Sequence, residues 1–493
     1  MDFIQSILPV IDNTRFARTL ADSTQLKLLH EHIRKGKVHT DDEAMIKLYG
    51  IKGSHQAYKK LKQRFRDKLT EYVLLNGVAF KNLDAYARIY RKCMTQVMAI
   101  KTLILGNARV AAVNIGENLI KTTLSNEYTD LTLLLSRELF SYYTAINYHP
   151  LKSQKYEKIM ERAQQLYSRE LKSNKYFCDL KIVFNTSRGS QKEKSDSMAI
   201  SYCNEIMPYL QGSNTSYQLL YNVYSVMAMR YELAQDYKRL LQICDEATNA
   251  FKERRISRKA GYYQFDVYKI VCFLQLQEYS KVEIIADAYF REMTRSSLNW
   301  FVLKIYIMVC RLHSRNYQGA YNVVQEVVNE KGYRKLPGTI LQSWIVYEAH
   351  VEFLISIGKI KTVTPLKFRL YKFLNEIPIY TKDKRGLNIA ILIVHALILL
   401  QQRKYMEIID RVDALNQYCH RHLRRDDTFR SNCFIKMLLR IPKADFNRKR
   451  TERYALPYLN KLHSMPLMIS DQSMEVEVIP YEDLWEMVLE LLD

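Results

Sequence analysis

Four short polar joints closing on tyrosine recur along the second half of the chain. They read Gln235-Asp236-Tyr237, Gln277-Glu278-Tyr279, Arg315-Asn316-Tyr317 and Arg403-Lys404-Tyr405. Each follows a long apolar-aromatic stretch with helical spacing and precedes a second amphipathic one. The intervals are 42, 38 and 88 residues, the last being two units with a joint near Gly358-Lys359. Repetition at about 40 residues is the mark of stacked helical pairs, because one pair cannot bury its apolar stripes alone. An earlier joint, Asn126-Glu127-Tyr128, starts the array near residue 82.

Composition agrees with a helical array and excludes the alternatives. Fourteen Gly and ten Pro in 493 residues are about 5%, against an average near 12%. So few turn residues exclude collagen-like and low-complexity chains and an all-β fold with its many tight turns. With 48% hydrophobic and 12% aromatic residues the chain has a large core to bury, not the composition of a disordered one. The longest apolar run, Leu387 to Leu400, is 14 residues and holds Asn388 and His395. It is too short to span a bilayer and long enough for a helix inside an array. Eight cysteines without a Cys-x-x-Cys pair, mostly in apolar helical contexts, fit buried free thiols in a reducing compartment. With an N-terminus, Met1-Asp2-Phe3-Ile4, lacking the basic character of a secretory leader, the expected location is cytoplasmic, with no membrane attachment. The formal charge of +22 favours acidic partners: nucleic acid, an anionic surface or an acidic protein.

The hairpins carry small and aromatic residues in a recognisable order. Tyr224, Ala228 and Tyr231 lie on the first helix of one pair, Tyr237 at its joint and Ala247 on its second helix. Tyr317 and Ala320 repeat part of this order, as do Ala396 and Tyr405. The pattern over 214–420 resembles the tetratricopeptide repeat family, whose units put an aromatic at the second helix and small residues where helices cross. Met308, Val327, Ile408 and Leu415 depart from it, and the period exceeds the family's roughly 34 residues. The resemblance implies a protein-binding scaffold with a concave face.

Upstream, the segments are shorter: 2–11, 13–21, 24–35, 41–50 and 54–75. Leu26, Leu29 and Ile33 form one helix face that stops at Gly36. Thr40-Asp41-Asp42-Glu43 is a capping box for a helix ending at Gly50, and Ile51-Lys52-Gly53 leads to a third helix capped by Ser54. Its core stripe is Tyr58, Leu61, Phe65 and Leu69. Three short helices, with a three-residue turn before the basic third one, resemble the helix-turn-helix of bacterial DNA-binding domains. The resemblance implies phosphate contacts from Lys60, Lys62 and Arg66, with His55, Gln56 and Lys59 reaching base edges. The plainer alternative is a capping bundle with a solvated basic face.

At the other end, Arg421 to Arg453 has eleven Lys/Arg against four acids, and Asp471 to Asp493 has eight acids and no base. Leu484, Met487, Val488 and Leu491 mark an amphipathic helix there, with Trp485 beside them. The two zones are expected to pair and cap the last repeat. Alternatively, Leu484, Trp485 and Met487 form a handle for a partner or a second copy. Tyr217, Tyr221 and Tyr224 share one helix face, as do Tyr262, Phe265 and Tyr268. Packing is the expected role of such stripes, and stacking on a partner or on single-stranded bases the alternative. Cys419, His420 and His422 lack the further ligands a zinc site needs, and so does His30-x-His32. Arg34 and His39 have a spacing known in helical ribonucleases, but Gly36 interrupts the helix that would carry both. Phosphate-loop, dinucleotide, His-Glu-x-x-His and Gly-x-Ser-x-Gly patterns are absent.

The expected fold is therefore all-α: a superhelical, right-handed array of antiparallel hairpins preceded by a small helical module. The divisions are 1–80, 81–184, 198–420 and 421–493, with an exposed loop over 185–197. The expected function is a non-catalytic scaffold for a protein or peptide partner, without cofactor or metal. The alternative is a nucleic-acid-binding regulator contacting DNA or RNA through the basic module.

Overall fold

The structure, a computed structural model, describes residues 1–21, 23–50, 56–77, 85–186, 192–212, 214–254, 259–362, 387–411, 429–465, 467 and 477–492. Among them every regular element is helical and there is no strand. Contacts divide the chain into one unit of Met1–Tyr167 and another of Ser168–Arg255 with Lys259–Asp493.

The first unit begins with α1 (Asp2–Ile7), α2 (Asn13–Thr19), α3 (Thr24–Arg34), α4 (Asp41–Tyr49) and α5 (Gln56–Asn76). They close on a core that includes Phe16, Leu29, Phe65 and Leu69, all fully buried, with the Phe16 ring edge-on to Phe65 and Tyr72. The boundaries follow the local signals. Both halves of the Thr40–Glu43 capping box form, and α4 ends on Gly50 at φ +68°, a left-handed conformation glycine adopts without strain. Gly36 ends α3 at φ +66° in the same way. The turn at Ile51-Lys52-Gly53 and the Ser54 cap lie outside the described residues.

α6 (Ala85–Leu105), α7 (Arg109–Ser125) and α8 (Thr129–Ser141) follow, with a separate core that includes Val97, Ile100, Leu119, Leu135 and Leu139. Gly116 lets α7 approach α8 closely, since a Cβ there would sit 3.3 Å from Leu139 Cδ2. α8 ends in a π turn, Tyr142–Ile146, closed by Asn147 N–H on the Tyr142 carbonyl at 2.9 Å. α9 (Pro150–Thr186) then runs through residue 167.

In the second unit come α10 (Lys192–Ile206), α11 (Tyr217–Leu233), α12 (Tyr237–Lys252), α13 (Lys259–Gln275), α14 (Tyr279–Glu292), α15 (Leu298–His313), α16 (Tyr317–Val328), α17 (Gly338–Ser356) and α18 (Leu387–Gln401). After them stand α19 (Phe429–Leu438), α20 (Arg448–His463) and α21 (Tyr481–Glu490). From α10 to α17 each helix packs on the next in chain order, and α17 packs on α18. The loop expected over 185–197 is helical at both its ends, and 187–191 lie outside the described residues. Residues 185 and 186 finish α9, and 192–197 already belong to α10, whose Ser195 is buried.

The recurring joints share one backbone device. Gln235, Gln277, Arg315 and Arg403 all adopt left-handed φ, from +55° to +60°. At each, the next N–H reaches back to a carbonyl five residues earlier, as Asp236 does to Tyr231 at 2.9 Å and Glu278 to Phe273 at 2.8 Å. This closure satisfies the last carbonyls of one helix and starts the next after a single capping residue. Asp236 and Asn316 then cap through their side chains. Glu127 (φ +54°) and Gly358 (φ +75°) make the same closure. Gly358 is the joint expected within the 88-residue interval. Asn107 adds another of this kind between α6 and α7, unread in the sequence because no tyrosine follows it.

Candidate interaction surfaces

The basic face proposed at the N-terminus is built on α5, whose buried stripe of Tyr58, Leu61, Phe65, Leu69 and Tyr72 holds it against the module. At 100° per residue, Gln56, Lys59, Lys60, Gln63, Arg64 and Arg66 fall on an arc of roughly 160° opposite that stripe. All six are exposed. Lys62 does not belong with them. It lies at the edge of the stripe, with Nζ 2.8 Å from Asp41 Oδ2. Asp41 also accepts from Tyr58 Oη at 2.7 Å and from the Met1 ammonium at 3.3 Å. Burial opposes the ionised form of Asp41, but Lys62, Tyr58 and that ammonium together hold its pKa at about 2. Lys62 is thus a structural strut and not a free cation. Arg66 stands over the Phe3 ring, 4.6 Å from its centroid. Lys59, Lys60 and Arg64 make no ion pair among the described residues. Arg64 escaped the sequence reading because only the helix register separates it from the stripe. His55 lies outside the described residues.

The tyrosine stripes are packing. Tyr217 is fully buried with its ring stacked 4.9 Å from Phe251, and Tyr224 and Tyr262 meet the same phenylalanine edge-on. Tyr221 is half-buried, its hydroxyl on Gln264 of the neighbouring helix. Ala228, Ala247, Ala320 and Ala396 are all buried in the interior. A partner therefore meets none of the Tyr217 ring, contrary to the role held open for it.

The acidic C-terminus is likewise folded in. Arg430 donates Nε to Glu477 Oε2 at 3.0 Å and Nη2 to Glu477 Oε1 at 2.8 Å and to Glu482 Oε2 at 2.7 Å. Its Nη1 reaches the Leu462 and Met465 carbonyls at 3.1 and 2.8 Å. Burial alone would lower the Arg430 pKa, but Glu477 and Glu482 drive it up. Arg315 pairs with Asp483 and Glu486, and Lys359 with Glu490. His313 Nε2 lies 2.8 Å from the Glu477 carbonyl. Leu484, Trp485 and Met487 are 1%, 3% and 4% exposed. The handle these three residues were to form is a buried face, because the docked segment spends its apolar side on the core and its acids on Arg315, Lys359 and Arg430.

The remaining titratable candidates are quiet. His30 is buried, with Nε2 3.0 Å from Asn13 Oδ1 and its ring edge-on to Phe16, as a core histidine. Cys419, His420 and His422 lie outside the described residues. Among the described residues no group of three or more His, Cys, Asp or Glu is placed to hold a metal ion. Six of the described cysteines are buried and Cys178 is exposed. Burial raises the thiols of Cys203, Cys272 and Cys310, the first to about 11 and the other two to about 12, which removes them as nucleophiles. Among the described residues no helix is long and apolar enough to cross a membrane. Comparison of the chain with protein-family models, with curated proteins and with solved structures gives no match.

Proposed function

We propose that this chain is a non-catalytic helical-repeat scaffold of tetratricopeptide-like type, acting in the cytoplasm on a protein or peptide partner. The observation that carries the reading is the recurring left-handed joint, which joins α11 to α12, α13 to α14 and α15 to α16 and returns at Gly358 and Arg403. Arrays of this kind extend a surface by repetition and use it for recognition. The net charge of +22 points to an acidic partner, with charge setting encounter rate and choice. The test is cross-linking of the tagged chain in its native cells, followed by purification at about 0.3 M salt. One partner retained in fixed stoichiometry, and no second copy, supports the reading. Loss of every partner at that salt overturns it, since weak polyanion adsorption is screened there.

A second reading, nucleic-acid binding through α5, is favoured by the arc of unpaired Lys59, Lys60 and Arg64. It predicts binding to short duplex DNA or to RNA that persists near physiological salt. Changing all three to Glu then lowers the salt slope by about three phosphates and leaves circular dichroism unchanged. Absence of binding at physiological salt removes this reading.

A further inference from the structure

α6, α7 and α8, with the turn that ends α8, line a half-open cavity of about 190 Å³ within the first unit. Its floor is aliphatic: Ile100, Ala112, Leu135 and Leu139, all at most 2% exposed, around Gly116. Gly116 sits in that floor where α7 packs closely on α8, a Cβ there lying 3.3 Å from Leu139 Cδ2. The π turn at the end of α8 supplies Tyr142 and Ile146 to the lining, and Ile146 is left 52% exposed. Such turns interrupt a helix at some cost and are enriched where a helix is shaped for function. The lining carries two charged side chains, Arg109 and Glu138. Glu138 is matched by Lys101 Nζ at 2.6 Å and Arg137 Nη2 at 3.1 Å. Arg109, exposed at the start of α7, makes no ion pair among the described residues. The Glu138 charge is thus met by two cations from outside the lining, and Arg109 is the lining's cation without an ion-pair partner among the described residues.

We propose that this cavity is a binding site for a small amphipathic monocarboxylate, its aliphatic tail on the Ile100–Leu139 floor and its carboxylate on Arg109. Size sets the tail length. An apolar protein cavity of about 150 Å³ accepts benzene, with six carbons, and the same filling of about 190 Å³ takes seven or eight. Octanoate is the matching probe. Its occupancy is independent of the scaffold reading, because none of the residues involved belongs to the α11–α18 array.

The test is calorimetric titration of the full chain at 0.15 M salt with butyrate, hexanoate, octanoate, decanoate and 1-octanol. Each methylene from hexanoate to octanoate should tighten binding about fourfold per carbon, the factor for burying one CH₂. Decanoate should gain nothing further, because the cavity is full. Octanol should bind about threefold to fivefold more weakly than octanoate, the scale of a partly screened ion pair. Arg109→Gln should bring octanoate down to the octanol level without changing octanol. Ala112→Leu, which fills the floor, should abolish both. Affinity that keeps rising through decanoate, or survives in both variants, overturns the proposal, since it marks adsorption to a basic surface. So does a lack of octanoate binding. If Ala112→Leu loses its cooperative melt, Arg109→Gln decides alone, because that side chain is exposed and outside the core.

Discussion

Replacing Arg430 with Met removes one guanidinium and strands several partners at once. The side chains of Arg430 and Glu477 are 6% and 3% exposed, so Glu477 cannot turn to water when its two bonds to Arg430 disappear. Glu482, at 30% exposed, can. The cost therefore centres on one buried carboxylate, for which about 3–5 kcal/mol is expected. The loss should be local at first: 477–492 is tied to the rest by Arg430, Arg315, Lys359 and the His313 contact. Urea unfolding with tryptophan fluorescence, which includes buried Trp485, gives the magnitude. Peptide-level hydrogen exchange over 477–492 gives the place. Arg430→Met with Glu477→Gln should recover about 2 kcal/mol or more, because the amide keeps an acceptor for the Tyr481 N–H, 2.7 Å away. The pH dependence has a definite sign. Burial already raises the Glu477 pKa against the pull of Arg430, and removing Arg430 raises it further. A carboxyl raised on folding costs nothing below its unfolded pKa of about 4.3 and an increasing amount as pH climbs to the folded value. The single variant should thus approach wild type near pH 4 and lose stability toward pH 7. A single variant costing under about 1 kcal/mol, or matching the double variant across this range, would refute the reasoning.

Other outcomes follow from the same structure. Gln235→Gly and Gln277→Gly relieve left-handed φ of +60° and +59°; the steric relief of about 1–2 kcal/mol exceeds glycine's entropic cost of about 0.5–1, so each should raise stability by roughly 0.5–1 kcal/mol in urea titrations. Thr40→Ala breaks the α4 capping box and should cost about 1 kcal/mol, read by the same titration. His350 is buried, and burial lowers its pKa to about 4, opposed by its bond to the Val346 carbonyl. A histidine depressed in this way lends stability above pH 6.5 that is lost as pH falls through about 4. A pH-dependent melt should steepen over that window and flatten in His350→Gln, by up to about 3 kcal/mol.

The helices of 2–76, the Thr40 cap, the Gly36 and Gly50 stops and most joints were legible in the chain alone. Each rests on contacts within about five residues, so the signal and the structure it produces are neighbours in sequence. Gly358 was readable for the same reason, being the one glycine among the joints of the second unit. What the sequence could not decide was which of two compatible faces each side chain meets. Lys62 and Lys59 are both lysines on one basic helix, yet Asp41, 21 residues away, takes only the first. Leu484, Trp485 and Met487 have the spacing of a handle and of a core face alike. Arg430 and Glu477, 47 residues apart, settle the matter by burying the segment. The cavity at Gly116 exists only where three helices meet. Local preference writes helix starts and stops, whereas exposure, charge pairing and empty space arise from tertiary packing, where distant residues compete for the same surface.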